Sequence, residues 1–268
     1  MENEKRMLSG TSSEQKLTYF EIQSWWGATK HMGGLSATKE LVELCQIKEG
    51  KYILDVGCGV GATSCYIAKM HNCKVVGIDI TRKMLDWAKG KAKEKVVKGR
   101  VEFVVADVQN LPFKDNTFDV VIGESVITFV KDKQRAVREC VRVTKSGGFT
   151  GLNEETWVKP PPQNFVEYAS KMWDIETEIL NQDRWEKMLK ESRLKDLRIK
   201  IRAFSASWNE YISELSRYGI IEVLGMMYRA IILYLKNPAF RKYTKGRFTS
   251  LPNRFFDYLG YGIYVGMK

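Results

Sequence analysis

The run Lys51-Tyr-Ile-Leu-Asp-Val-Gly-Cys-Gly-Val-Gly-Ala-Thr63 leaves a chain few ways to fold. An apolar stretch ends in an acid and a turn with glycine at 57, 59 and 61, and a helical pattern follows. A second apolar stretch, Val75-Val-Gly-Ile-Asp79, ends in another acid. Glycines in such a turn let the backbone bend sharply and approach a ligand closely, because no Cβ intervenes. An acid at the end of the second strand is placed to accept both hydroxyls of a ribose. The pattern is a strand–turn–helix–strand unit for a ribose-containing cofactor.

Strand and helix patterns go on alternating. Strands are predicted over 52–56, 74–79, 101–106, 118–123 and 149–153, with helices over 62–70, 81–95 and 131–144 between them. Short apolar strands separated by amphipathic helices imply a parallel sheet covered on both faces. Beyond Pro160-Pro-Pro162 the pattern changes. Helices are predicted over 165–179, 183–192 and 208–235, and strands over 197–204 and 258–267. The expected organisation is an N-terminal arm and lid (1–34), a core (35–205) with a substrate-side insertion (156–182), a helical cap (206–254) and a final core strand (255–268).

The chain has 268 residues, 44% hydrophobic, enough for a buried core. Its five cysteines form no Cys-x-x-Cys pair and it has only two histidines, so neither a disulfide framework nor a metal site of the usual spacing is expected. Reduced thiols and a cytoplasmic location are the simplest reading. The net charge of +11 is uneven: residues 229–254 hold seven Lys/Arg and no acid. That stretch leaves open an anionic partner, whether a phosphate, an acidic membrane surface touched peripherally, or nucleic acid. Solvated lysine-rich helices are the plainer alternative, and nothing in the sequence specifies an oligomeric state.

Four acids, Asp55, Asp79, Asp107 and Glu124, close consecutive strands on one edge, and the carboxyl edge of an open α/β sheet is where ligands bind. The glycine spacing also fits a dinucleotide fingerprint, so a nicotinamide-dependent oxidoreductase stays open. Asp55 points elsewhere: a carboxylate two residues before the first glycine sits badly against a pyrophosphate but suits the ammonium of an amino acid. It is equally suited to capping the loop amides.

Several spaced motifs together make the chain resemble the class I S-adenosylmethionine-dependent methyltransferases over about residues 35–153. They are Ile53-Leu-Asp-Val-Gly-Cys-Gly-Val-Gly, Val76-Gly-Ile-Asp-Ile, Met84-Leu-Asp-Trp-Ala, Ala106-Asp-Val-Gln-Asn-Leu-Pro-Phe, Phe118-Asp-Val-Val-Ile and Glu139-Cys-Val-Arg-Val-Thr-Lys-Ser-Gly-Gly. Small-molecule and lipid methyltransferases are the nearest of these, with a Gly-Gly lead-in similar to His31-Met-Gly-Gly-Leu-Ser. The resemblance implies an α/β, Rossmann-like sheet of seven strands, the seventh antiparallel, with helices on both faces and a helical substrate cap. It implies S-adenosyl-L-methionine as cofactor. Gly57 and Gly59 would pass under its methionine part, with Asp55 and Cys58 counted in the cofactor site (Cys58 as a small residue packed in the motif); Asp79 would hold its ribose, and Ile80, Met84, Asp107 and Val108 would contact its adenine. Glu124 would lie near the sulfonium, with Glu124 and His31 as catalytic candidates. Tyr19, Trp25, Trp26 and Glu154 are the substrate-binding candidates, and Glu154 is a further candidate base.

Methyl transfer from a sulfonium needs alignment more than a nucleophile, so the lack of a Ser-His-Asp or Cys-His constellation is no obstacle. The expected function is methyl transfer to a small-molecule or lipid-like acceptor. The alternatives are an RNA methyltransferase using the 229–254 stretch, the nicotinamide enzyme, and a binder that uses the cofactor only to fold.

Overall fold

The computed structural model describes residues 19–94, 97, 99–172, 177–204, 220–238, 240–241, 244 and 252–268. The arm before Tyr19, the first part of the expected cap (206–219) and much of the basic stretch beyond 241 lie outside them.

Alternating apolar runs fold into one sheet: β1 (Tyr52–Val56), β2 (Lys74–Asp79), β3 (Val101–Val105), β4 (Phe118–Glu124), β5 (Thr144–Trp157), β6 (Leu180–Asn181), β7 (Lys195–Ala203) and β8 (Leu259–Met267). The order is β3-β2-β1-β4-β5-β8-β7, with the two-residue β6 paired to the far end of β5. Strands β1 to β5 pair in parallel, while β8 lies antiparallel between β5 and β7. This is the expected sheet with its last strand inserted, plus the small β6. Pairing on both edges explains why eight of the nine residues of β8 are buried.

Side-chain alternation gives the sheet two faces. On one, α5 (Lys133–Val143) and α7 (Gln182–Glu191) pack Val137, Cys140, Trp185 and Leu189 against Leu54, Val56 and Tyr264. On the other, α2 (Gly34–Leu44) and α3 (Ala62–Met70) pack Leu41, Cys65 and Ile67 against Ile53, Ile122 and Ile263. Polar side chains start the first pair: the Asp132 carboxylate accepts the Arg135 N–H at 2.9 Å, and the Asn181 carbonyl oxygen accepts the Arg184 N–H at 3.0 Å. Each is an N-cap that satisfies an amide with no intrahelical partner.

Two elements differ from the sequence reading. The fifth strand runs from Thr144 to Trp157, well past both ends of 149–153, because β8 pairs with it from Phe149 to Trp157 and Thr144 still pairs with Phe118. The turn-forming Ser146-Gly147-Gly148 hid one extension and the charged Glu154-Glu155 the other. The helix expected over 165–179 is α6 (Gln163–Met172), and Leu180 already belongs to β6.

Two further helices flank the core, α1 (Tyr19–Trp26) and α8 (Ile220–Lys236), and α4 (Arg82–Glu94) joins them. The Trp26 indole donates to the Met226 carbonyl at 2.8 Å, and the Trp87 indole donates to the Ser24 carbonyl at 3.0 Å. Arg229 donates to the Trp26 carbonyl at 2.7 Å and lies 4.6 Å over the Trp87 ring, while Lys91 pairs with Glu222. Among the described residues, no helix is long and apolar enough to cross a membrane.

Glu154 is a correction. The sequence offers it as a substrate-binding residue, whereas the fold buries it fully and occupies its oxygens. Oε1 accepts the Val126 and Ile127 N–H groups at 3.1 and 2.9 Å, and Oε2 accepts the Thr128 N–H and hydroxyl at 3.0 and 2.8 Å. The side chain therefore fixes the turn that leaves β4. Burial and the neighbouring Glu155 carboxylate push its pKa up, and burial does the same to Glu155.

Two measurements test this packing. Trp185→Ala should cost about 3–5 kcal/mol in urea denaturation, whereas Trp185→Phe should cost far less, because the buried indole N–H has no partner to lose. Folding also takes up protons at the two raised carboxyls. Unfolding free energy should therefore fall as pH rises from the ordinary carboxylate range through the raised pKa values. A stability that rises steadily over that range would contradict the assignment.

Candidate active site

The turn after β1 is shaped by its glycines. Gly57 (φ +64°) and Gly59 (φ +52°) adopt left-handed backbone, and a Cβ on them would lie 2.2 Å from Val126 Cγ2 and 2.4 Å from Thr29 Cγ2. Only glycine fits conformation and space together. The turn is fastened by Asp79 at the end of β2, whose carboxylate accepts the Gly59 N–H at 3.0 Å and the Thr81 N–H at 2.8 Å. Burial pushes the Asp79 pKa up, against the pull of those two donors.

Asp55, Glu124 and Asn153 stand on neighbouring strands, on the face that α2 and α3 cover. Asp55 accepts the Ser64 hydroxyl at 2.5 Å. Glu124 accepts the Thr63 hydroxyl at 2.7 Å and the Thr38 hydroxyl at 3.0 Å, and His31 Nε2 lies 3.5 Å from it. His31 Nδ1 lies 3.1 Å from the Met32 carbonyl and 3.4 Å from Asn153 Nδ2, and Nε2 is the nitrogen turned to Thr38 and Glu124. Asn153 Nδ2 donates to the same Met32 carbonyl at 2.9 Å. A small cleft beside these groups is lined by Thr29, His31, Asp55, Gly57, Thr63 and Glu124, among others. A larger open depression lies at the opposite edge, beside Lys48, Asp119 and Lys145 where the strands begin. The carboxyl edge is the one that binds ligands in open α/β sheets.

The remaining candidates fall in three groups. Cys58 lines the cleft, and burial holds its thiol well above the usual range. Asp107 sits at the end of β3, where its carboxylate accepts the Gln109 N–H at 2.8 Å, and Ile80 is exposed on the rim. The Met84 and Val108 side chains are buried. Met84 packs with Val60 and Met226 under α8, and Val108 packs with the core that holds Leu111 and Phe118. Tyr19, Trp25 and Trp26 lie on α1, which meets the turn after β4 through Phe20 and Phe129, 5.2 Å apart. Trp26 turns its indole N–H to α8, and the Lys83 ammonium lies 5.6 Å over Trp25.

Sequence reasoning missed Thr38, Thr63, Ser64 and Asn153. Thr63 and Ser64 had a signal, since they are hydroxyls in the first helical turn after a ligand-type glycine turn. Thr38 and Asn153 had none, because only the tertiary fold brings them to Glu124 and His31.

Residues 54–151 match the family described as a methyltransferase domain. The chain is 31% identical over 204 residues to phosphoethanolamine N-methyltransferase 3 of Arabidopsis thaliana, covering 72% of this chain and 41% of that protein. It is 40% identical over 100 residues to norajmaline N-methyltransferase of Rauvolfia serpentina, covering 37% and 34%. The chain thus spans about two fifths or less of the length of these curated relatives. In fold it resembles phosphoethanolamine N-methyltransferase 2 of Haemonchus contortus, with a TM-score of 0.70 at 20% identity over 95% of this chain and 59% of that one. None of these relatives is a nicotinamide enzyme, the reading the glycines alone left open. The match over the glycine turn and its following strands, on a sheet of this order, makes the chain a member of the class I S-adenosylmethionine-dependent methyltransferase superfamily.

Proposed function

We propose that the chain is a methyltransferase that moves a methyl group from S-adenosyl-L-methionine to a small-molecule or lipid-like acceptor. The observation that carries this reading is the cleft at the carboxyl edge, where Asp79 already fastens the glycine turn and Asp55 and Glu124 stand beside it. Asp79 retains lone pairs for the ribose hydroxyls, and Asp107 stands at the adenine end. Gly57 and Gly59 give the methionine part room, Asp55 complements its ammonium, and Cys58 packs beside it. The start of α3, where Gly61 brings no capping side chain to the helix amides, would hold the carboxylate of the methionine part.

The cofactor supplies an activated methyl on a positively charged sulfur. The acceptor's lone pair forms the new bond to that carbon as the carbon–sulfur bond breaks, and the electron pair stays on sulfur. The chain contributes position and exclusion of water, and well-ordered alignment is worth roughly 7–11 kcal/mol. Glu124 and His31, held by Thr38 and Thr63, border the cleft where the sulfur would lie. Val60, Met84 and Met226 pack together beneath α8. Ile80 offers its exposed side chain to the adenine, while Tyr19, Trp25 and Trp26 wall the approach from α1.

Titration calorimetry with S-adenosylhomocysteine should show saturable binding, and an equal titration with a nicotinamide dinucleotide should show none. Asp79→Ala should weaken the former by about 10–100-fold, as expected for losing charge-assisted hydrogen bonds. Binding unchanged in that variant would refute the ribose assignment. Transfer of labelled methyl separates an enzyme from a protein that binds the cofactor only to fold, and an RNA acceptor would show a steep loss of binding with salt.

A further inference from the structure

The far end of β5 carries polar atoms that nothing else in the described residues satisfies. Asn153 and Glu155 follow Gly151 on one face of the strand, and a Cβ on Gly151 would touch Cys45 and Leu41, so this is the α2 face. Asn153 is fully buried and commits its N–H to Met32, which leaves Oδ1 without a partner. Glu155 is 4% exposed, and its Oε2 also has none. The Ser125 hydroxyl is the third such atom. Ser125 begins the turn after β4 in left-handed backbone (φ 53°), and its N–H donates to the Asn153 carbonyl at 2.7 Å. The Ser125 and Thr128 hydroxyls both ease ionisation of Glu155 against the burial that opposes it, yet neither reaches Oε2 in hydrogen-bond geometry.

These atoms are adjacent to the cleft. Asn153 pairs in register with Glu124 and backs on to His31, and Glu155 lies two residues, about 7 Å, further along the strand. Their chemistry is one-sided. An amide oxygen and a carboxylate only accept, and a serine hydroxyl can accept too. A ligand that satisfies them brings donors, and one that suits the carboxylate brings positive charge. A phosphate or carboxylate placed here would be repelled. An amino group meets every demand.

We propose that Glu155, Asn153 and Ser125 form the seat for the acceptor's amino group, and that the reaction is N-methylation of a primary or secondary amine. This rests on the reading of the cleft as a methyl-donor site. The bound ammonium passes a proton to the Glu155 carboxylate and so frees its lone pair. The nitrogen forms its bond to the methyl carbon as the carbon–sulfur bond breaks with its pair left on sulfur. Glu155 returns the proton to solvent as the product leaves. Glu154, on the other face and saturated by the turn, takes no part.

The test is labelled-methyl transfer to a panel of small amines, ethanolamine and phosphoethanolamine among them, each matched with the alcohol that replaces its amino group. Label should enter the amines and not the alcohols. Glu155→Gln, which keeps the shape, should lower kcat/KM by about 100-fold, mostly through KM, with S-adenosylhomocysteine affinity within about twofold of wild type. Glu155→Asp should recover part of the loss. If Glu155→Gln does not fold, Ser125→Ala carries the test, with KM rising about tenfold. Label confined to alcohols, no label in any amine while S-adenosylhomocysteine still binds, or a wild-type KM in the variant tested would overturn the amine seat. Failure of wild type to bind S-adenosylhomocysteine would instead refute the methyl-donor reading.

Discussion

The site depends on the parallel pairing of four strands in the order β2-β1-β4-β5. That pairing sets Val56 beside Ile78 and Gly123, and Glu124 beside Asn153, so strands from distant parts of the sequence end at one rim. Side chains of opposite parity are spent on the core beneath α5 and α7. Those of the same parity as Ile53 and Ile122, among them Asp55, Glu124, Asn153 and Glu155, turn toward α2 and α3. A shift of one residue in any of these strands would exchange acids for aliphatics and remove the site along with the core.

Around that rim the protein divides its acids by task. Glu154 is consumed in structure, with four donors from one turn. Asp79 pins the glycine turn from the end of β2. Glu124 is held by two threonine hydroxyls beside His31, and Glu155 is buried with an oxygen left over. Both of these adjacent glutamates are buried, but of the two only Glu155 keeps an oxygen with no hydrogen-bond partner among the described residues. The α1–α4–α8 contacts add a cover on the glycine-turn side, where Met226 reaches Val60 and Met84.

Much of this was legible in the sequence. The helix over 62–70 and the strands over 52–56 and 74–79 have the bounds read from pattern, because buried parallel strands and glycine turns leave strong local signals. The antiparallel final strand at 259–267 came through resemblance, since nothing local says which neighbours it takes. Three things were hidden. The outer part of β5 carries two glutamates, which disguise a strand that β8 pairs fully. Nothing around Met84 and Val108 in the sequence announces the distant side chains, Met226 among them, that pack on them. Thr38 reaches Glu124 across 86 residues of sequence, a meeting that only the folded sheet arranges.

A crystal structure with S-adenosylhomocysteine bound tests the central claim most directly. The account places the ribose on Asp79 and the amino-acid end among Asp55, Gly57 and the start of α3, with the sulfur directed toward Glu124 and the Asn153–Glu155 end of β5. A nucleoside found instead at the opposite edge, beside Lys48 and Lys145, or one with its sulfur turned away from β5, would contradict it.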